Sequence, residues 1–221
     1  MLQSTQRLFE SVRGNEIATY AVFDADDIES INALSTAFPQ VRRIVVTPPA
    51  TPIYKWNEGL REAAKDPDMT HVVLGADDLA WRLGWLDEVM KVKSGFVGLN
   101  TLEYGERHCT HFVLTREFIV RVNGGVIFTP HYKHLFADNE ILERARRAGE
   151  FRYCKDAIAE HLHPAHGKGP LDDVYTRATA FWTEDQATYE RRLAANFPND
   201  YEAVCTLSSS IPITTEIALP A

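Results

Sequence analysis

Over its first hundred residues the chain alternates amphipathic helical stretches with short apolar runs, and that rhythm confines it to layered α/β folds. "MLQSTQRLFESV" sets Leu2, Leu8, Phe9 and Val12 near helical spacing, with Gly14-Asn15 as a stop. "EIATYAVFDADD" reads as a strand that ends in acids. "DIESINALSTAF" brings Ile28, Ile31, Leu34 and Phe38 onto one helical face before Pro39, and "VRRIVVTPP" is a short strand with a proline-stiffened loop. "IYKWNEGLREAAKDP" is the next helix, "THVVLGADD" a strand, "GWLDEVMKVK" a helix and "GFVGLNTL" a strand. The pattern predicts a Rossmann-like, mostly parallel central sheet flanked by helices, with ligands beyond the carboxyl ends of its strands. Two strands, ending at Asp24 and Asp77, deliver carboxylates to that edge.

The second half is mixed. "HCTHFVLTREFIVRVNGGVIF" is extended or irregular with Gly124-Gly125 in a turn, and "TPHYKHLF" is an aromatic, histidine-rich loop. "ADNEILERARRAG" is a helix with Ile141, Leu142 and Ala145 as its apolar stripe and Gly149 just past its end. "EFRYCKDAIAEHLHP" is a strand that runs into a histidine loop, "GKGPLDD" a flexible link, and "VYTRATAFWTEDQATYERRLAANF" one or two helices. The tail 201–221 is rich in Ser and Thr and reads as an edge strand or as disordered. A length of 221 residues suits a single domain over 1–200, with a nucleotide-binding half to about residue 100 and an acceptor half to 200.

No apolar run approaches the roughly 20 residues that span a bilayer, and the first residues lack the pattern of a signal peptide, so a soluble cytoplasmic protein without membrane contact is expected. The net charge of -8 argues against a surface built to grip phosphate backbones throughout. Cys109, Cys154 and Cys205 lie too far apart for a metal pair or a disulfide framework and read as buried thiols.

Several groups of residues point to chemistry, each beside a plainer reading. Asp77-Asp78 offers hard oxygen ligands for a divalent cation that holds a diphosphate, or simply closes a polar turn. Trp81 and Trp85, just after it, are placed to flank a sugar or base. In "EHLHPAH" an extended backbone turns His161 and His163 to one face, where imidazole completes a metal site or stays solvated. Asp138 and Glu140 open a helix, as a cap or as a general base whose pKa the helix terminus would pull down. Asp24, Asp26 and Asp27 accept hydrogen bonds from a base or ribose, or form a turn with Asp27 as a helix cap. Gly125, His131, Tyr132 and His134 frame an acceptor pocket. Arg144, Arg146, Arg147, Lys168 and Arg177 form a local basic rim or a solvated face.

Taken in order, "VFDADD", "YKWNEGLREA", "LGADD", the glycine pair with "TPHY", "ADNEILERARRAG" and "AIAEHLHP" resemble inverting glycosyltransferases of the GT-A fold, of the family-two type and its small phage-type versions, over about residues 20 to 165. The resemblance implies Mn2+ or Mg2+ on Asp77 and Asp78 with His161 or His163. It implies a nucleotide-diphosphate sugar as donor, a UDP-sugar first, held through Asp24, Asp26, Asp27, Lys55 and Asn57. It implies Asp138, with Glu140 beside it, as the base that activates a hydroxyl acceptor near Trp85, Gly125 and Tyr132. That acceptor is a modified DNA base, a glycan or a protein, and the setting a bacterial or phage-infected cell.

The chain departs from the family pattern at several points. Gly75 stands where the first aspartate of Asp-x-Asp is usual, Ala137 replaces the glutamate of Glu-Asp, and Trp56 stands where an arginine is common. No strand precedes the first helix, which is expected to leave a sheet position empty and an exposed edge that the tail or a second copy would pair with. A catalytically weakened GT-A-like nucleotide-binding or scaffold protein is the second reading. A nucleotidyltransferase is the third, disfavoured by the lack of a glycine-rich phosphate loop with a basic residue.

Overall fold

The computed structural model describes residues 2–12, 17–48, 50–168 and 173–206. The helix stop expected at Gly14-Asn15, most of the link 169–172 and the tail from 207 lie outside the described residues. The helices are α1 (Leu2–Val12), α2 (Ile28–Ala37), α3 (Pro52–Ala63), α4 (Trp85–Met90), α5 (Arg116–Arg121), α6 (Ala137–Arg147), α7 (Asp173–Thr179) and α8 (Trp182–Ala194). The strands are β1 (Tyr20–Asp24), β2 (Arg42–Val46), β3 (His71–Val73), β4 (Leu79–Trp81), β5 (Phe96–Asn100), β6 (Phe112–Thr115) and β7 (Phe151–His161). Among the described residues no helix is long and apolar enough to cross a membrane. The three cysteines are buried free thiols.

The α/β layering is as expected, but the central sheet is not mostly parallel. β1 and β2 form a parallel pair, and a separate five-stranded sheet runs in the order β3-β6-β5-β7-β4. Within it only β5 and β7 are parallel, while β3/β6, β5/β6 and β4/β7 are antiparallel. The connections explain this. A parallel step needs a crossover, and the chain supplies one through α2 between β1 and β2 and through α5 and α6 on the way to β7. From β5 to β6 it supplies only a 3-10 turn at Gly105–Arg107, so the chain returns antiparallel. The strand expected to end at Asp77 stops at Val73, and a second short strand, β4, follows the acidic turn.

Period-2 alternation divides the core. Phe96, Phe112 and Leu114 face one side with Ile53 and Leu60 of α3 and Phe118 of α5, whereas Val97, Leu99 and Val113 face the other with Trp81, Trp85 and Val89. Each fully buried side chain of this size is worth about 1.5–3 kcal/mol. α3 starts cleanly because Thr51 accepts from Tyr54 N and Pro52 occupies its first turn. It also lies over the two-stranded sheet, where Gly59 allows contact with Val22. α1 reaches both units from the opposite side, with Leu8 against the Trp85 cluster and Phe9 against Phe23, Leu34 and Val41. The two sheets therefore share one layer between helices, yet among the described residues no ladder joins them. β1 pairs only with β2, and β3 only with β6.

Candidate functional site

The acidic turn is aimed by the strand that follows it. Asp77 and Asp78 form the turn, and β4 then pairs with the end of β7, with Leu79 opposite His161 and Leu162 N donating to Asp78 O at 2.9 Å. This sets Asp78 Oδ2 3.0 Å from His161 Nε2. His161 Nδ1 lies 3.1 Å from Oε2 of Glu103, whose side chain is 2% exposed. The third member is His111. It sits at the head of β6, its carbonyl accepts from Leu99 N at 3.1 Å, and its ring meets His161 edge-on at 4.9 Å. One ligand atom each from Asp78, His111 and His161 lies within 4.8 Å of the others, and the His111 Nδ1 atom is buried without a hydrogen-bond partner.

The two histidines of the cluster are shifted in opposite directions. Burial works against the charge on His161, but hydrogen bonds to Asp78 and Glu103, with their charges, outweigh it and push the imidazole up to about 9. The protonated ring thus donates from each of its nitrogens, from Nε2 to Asp78 and from Nδ1 to Glu103. Burial also works against the Glu103 carboxylate, yet the hydrogen bond and charge of His161, helped by His166 and His163, hold its pKa below the usual value. His111 goes the other way. Burial, then the neighbouring His161, pull it down to about 4, so at neutral pH its imidazole is uncharged.

The expected metal ligands divide. Asp78 and His161 converge. Asp77 is exposed and is not part of the cluster. His163 stacks edge-on to His161 at 5.1 Å, but its Nδ1 accepts from Ala165 N and caps the 3-10 turn Pro164–His166. His166 extends the group toward Glu103 Oε1 at 3.2 Å and Tyr104 OH at 3.1 Å. Asp138, at the start of α6, meets His108 Nε2 at 3.0 Å through Oδ2, and its Oδ1 accepts from Asn139 N. Burial opposes charge on His108, but the hydrogen bond and charge of Asp138 raise its pKa above the ordinary value.

The expected nucleotide contacts divide as well. Asp24 ends β1 and pairs with Lys55 of α3 through Oδ2, while its Oδ1 is buried without a partner. Asp26 is exposed, and Asp27 caps α2 by accepting from Ser30 N. Asn57 is corrected to a structural residue. It is 6% exposed, donates to Phe128 O and accepts from Ile127 N and Phe128 N, fastening the 127–128 backbone to α3. An open depression of about 310 Å³, lined by Tyr20, Arg42 and Asp66 among others, lies at the far end of β1 from Asp24 and involves none of the cluster.

Four more expectations are corrected by burial. Glu140 is 1% exposed and bound by Thr129, Tyr132, Arg144 and Arg192, which removes it from any acceptor. Tyr132 is held by that same bond, and burial followed by the Glu140 charge raises its pKa, so it stays a neutral donor. Trp85 is fully enclosed, packs on Trp81 at 4.5 Å and donates to Ser11 Oγ. Gly125, at φ 84, lies under the returning chain, where Val204 N and Cys205 N both donate to its carbonyl and an added Cβ would come 2.5 Å from Ala203. Of the expected basic rim Arg177 is exposed, and the other four residues are engaged. Arg144 is buried on Glu140, Arg146 donates to the carbonyls of Glu106 and Arg107, Arg147 pairs with Glu143 and Lys168 with Glu160.

Sequence reasoning missed His111, Glu103 and His108. The available signal was the spacing of His108 and His111 before an apolar run, which by itself is weak. Comparison with known protein families, with curated proteins and with solved structures gives no match for this chain.

Proposed function

We propose that the protein is a metal-dependent inverting glycosyltransferase that moves a sugar from a nucleotide-diphosphate sugar to a hydroxyl acceptor. The observation that carries this reading is the convergence of Asp78, His111 and His161 at 4.8 Å, with a buried His111 nitrogen left open. A divalent cation bound there would supply Lewis-acid stabilisation of the leaving diphosphate. Glu103 holds the His161 ring in place by its far nitrogen. Asp24, with one oxygen fixed by Lys55 and the other unpartnered, offers an acceptor to a ribose or base N–H. Asp138, oriented by His108, takes the proton of the attacking hydroxyl as the anomeric bond to the diphosphate breaks. A nucleotide-sugar donor also fits the cytoplasmic setting expected from the sequence.

One observation favours a second reading, a nucleotide-binding protein without transfer. Both oxygens of Asp138 are already engaged, by His108 and by Asn139 N, and a base must release one of them. A screen of donor hydrolysis and transfer across nucleotide sugars, with and without added Mn2+, tests the proposal. Turnover that needs the cation and is lost in Asp78→Ala is expected. Full activity in that variant would sink the metal role. Calorimetric binding of a nucleoside diphosphate with no turnover of any donor would select the second reading.

A further inference from the structure

The donor atoms at the cluster speak to which cations it takes. We infer that Asp78, His111 and His161 form a transition-metal site, of the Zn2+, Co2+, Fe2+ and Mn2+ class, that rejects Mg2+ and Ca2+, with His111 as the ligand that sets this preference. The inference rests on the metal reading above and concerns the identity of the ion.

Mg2+ and Ca2+ are hard cations that take oxygen ligands, and Mg2+ gives up its waters reluctantly. Imidazole nitrogen suits the later first-row ions, and two histidines with one carboxylate leave positions open for water or a diphosphate oxygen. Here the carboxylate count is low by construction of the fold. Asp77 is exposed and is not among the clustered ligand atoms, which leaves Asp78 as the one carboxylate in the group. The fill-in is a nitrogen.

That nitrogen belongs to a built site. His111 is 5% exposed, and its Nδ1 is buried without a partner. A buried polar atom left unmet costs about 1–3 kcal/mol. The ring is also fixed in position. It precedes Phe112, which is fully buried in β6, and its own carbonyl is tied to β5. His161 is held as metal-binding histidines are commonly held, with a buried carboxylate, Glu103, on the ring nitrogen away from the cluster. His163 is a poorer candidate for the third place because Ala165 N donates to its Nδ1.

The test uses untagged full-length protein stripped with a chelator. Co2+ is titrated while its visible d–d absorbance is followed, and Zn2+, Mn2+ and Mg2+ are then run as competitors. One Co2+ per chain is expected, with Zn2+ displacing it and Mg2+ binding roughly 100-fold or more weakly. His111→Ala should weaken Co2+ binding at least tenfold, and His111→Asp should move the preference toward Mn2+ and Mg2+. Should His111→Ala fail to fold by circular dichroism, Glu103→Gln is the second variant, expected to lose about 10–100-fold in Co2+ affinity. Mg2+ that competes as well as Zn2+, or Co2+ binding unchanged in a folded His111→Ala, overturns the inference. In either of those cases a donor that still turns over leaves the transferase reading standing. Co2+ binding as described without turnover of any donor supports the inference and fails the transferase reading instead.

Discussion

Glu140 is a fully buried acid and Asp78 a partly exposed one, and their neighbours differ in kind. Glu140 is met by two guanidinium groups and two hydroxyls, so both oxygens are saturated by donors that carry or keep their protons across the whole pH range. Its burial works against the charge, but Arg192, Tyr132 and Thr129 hold its pKa below the usual value. The cluster ties α6 to α8 and to the loop after Gly125, and Asp185 completes the same corner by accepting from the backbone N–H of Lys133, His134 and Leu135. Asp78 is met instead by histidines, one neutral and one held charged only by two carboxylates. The first arrangement is a fixed joint. The second turns on histidine protons that come and go within the accessible pH range.

The largest test of this contrast is thermodynamic. Removing one partner of a buried, fully bonded charge group leaves the others uncompensated and costs about 3–5 kcal/mol. Glu140→Ala is therefore expected to lose stability on that scale in urea unfolding. Asp78 is partly exposed, and its ion pair with His161 should be worth about 1 kcal/mol or less. Asp78→Ala is expected to unfold near the wild-type midpoint while losing metal binding. If the two variants lost stability equally, Asp78 would be a second joint and the contrast would break.

The next effect is the response to pH. His111 falls to about 4 in the fold from about 6.5 in the unfolded chain, so the unfolded state binds the extra proton first. Stability from this group is present above about pH 6.5 and is lost as pH falls toward 4, by about 3 kcal/mol in total. His161, raised to about 9, acts with the opposite sign. Its contribution is complete below about 6.5 and fades as pH rises through 9. Glu140, with its pKa lowered, contributes nothing to either arm above about pH 5. Denaturant midpoints from pH 4 to 9.5 should show both slopes, with the acid arm flattened in His111→Phe and the alkaline arm in His161→Gln. A flat profile in the wild type would contradict the burial of these two rings.

What could be read from the sequence follows from how local its causes are. α6 was legible because Ile141, Leu142 and Ala145 lie on one helical face with Gly149 past the end, and both appear in the fold. Asp78 and His161 were legible by residue type and by their place near strand ends. His111 was not, because its approach to them is made by the antiparallel return from β5 to β6, which no local spacing encodes. Glu140 was misread for a related reason. Arg144 at i+4 was visible, but Arg192, 52 residues further on, is what closes the network. Trp85 and Tyr132 have the composition of a ligand wall and became core, one under α1 and the other on Glu140. The sheet was misjudged because helix and strand alternation does not report which connections are too short to cross over.

Asp24 lies between the two extremes, and it gives the smallest and most discriminating test. One of its oxygens has a cation, Lys55, and the other is buried and unmatched, so it resembles half of the Glu140 joint. Both side chains remain about a quarter to a third exposed, and solvent screens such a pair. Lys55→Ala should therefore change stability by about 1 kcal/mol or less, while affinity for a nucleoside diphosphate, read by calorimetry, should move in a variant that is still folded. A loss of stability comparable to that of Glu140→Ala would class Asp24 with the structural joint. A small loss with altered nucleotide affinity would class it with Asp78, as a carboxylate that serves binding rather than the fold.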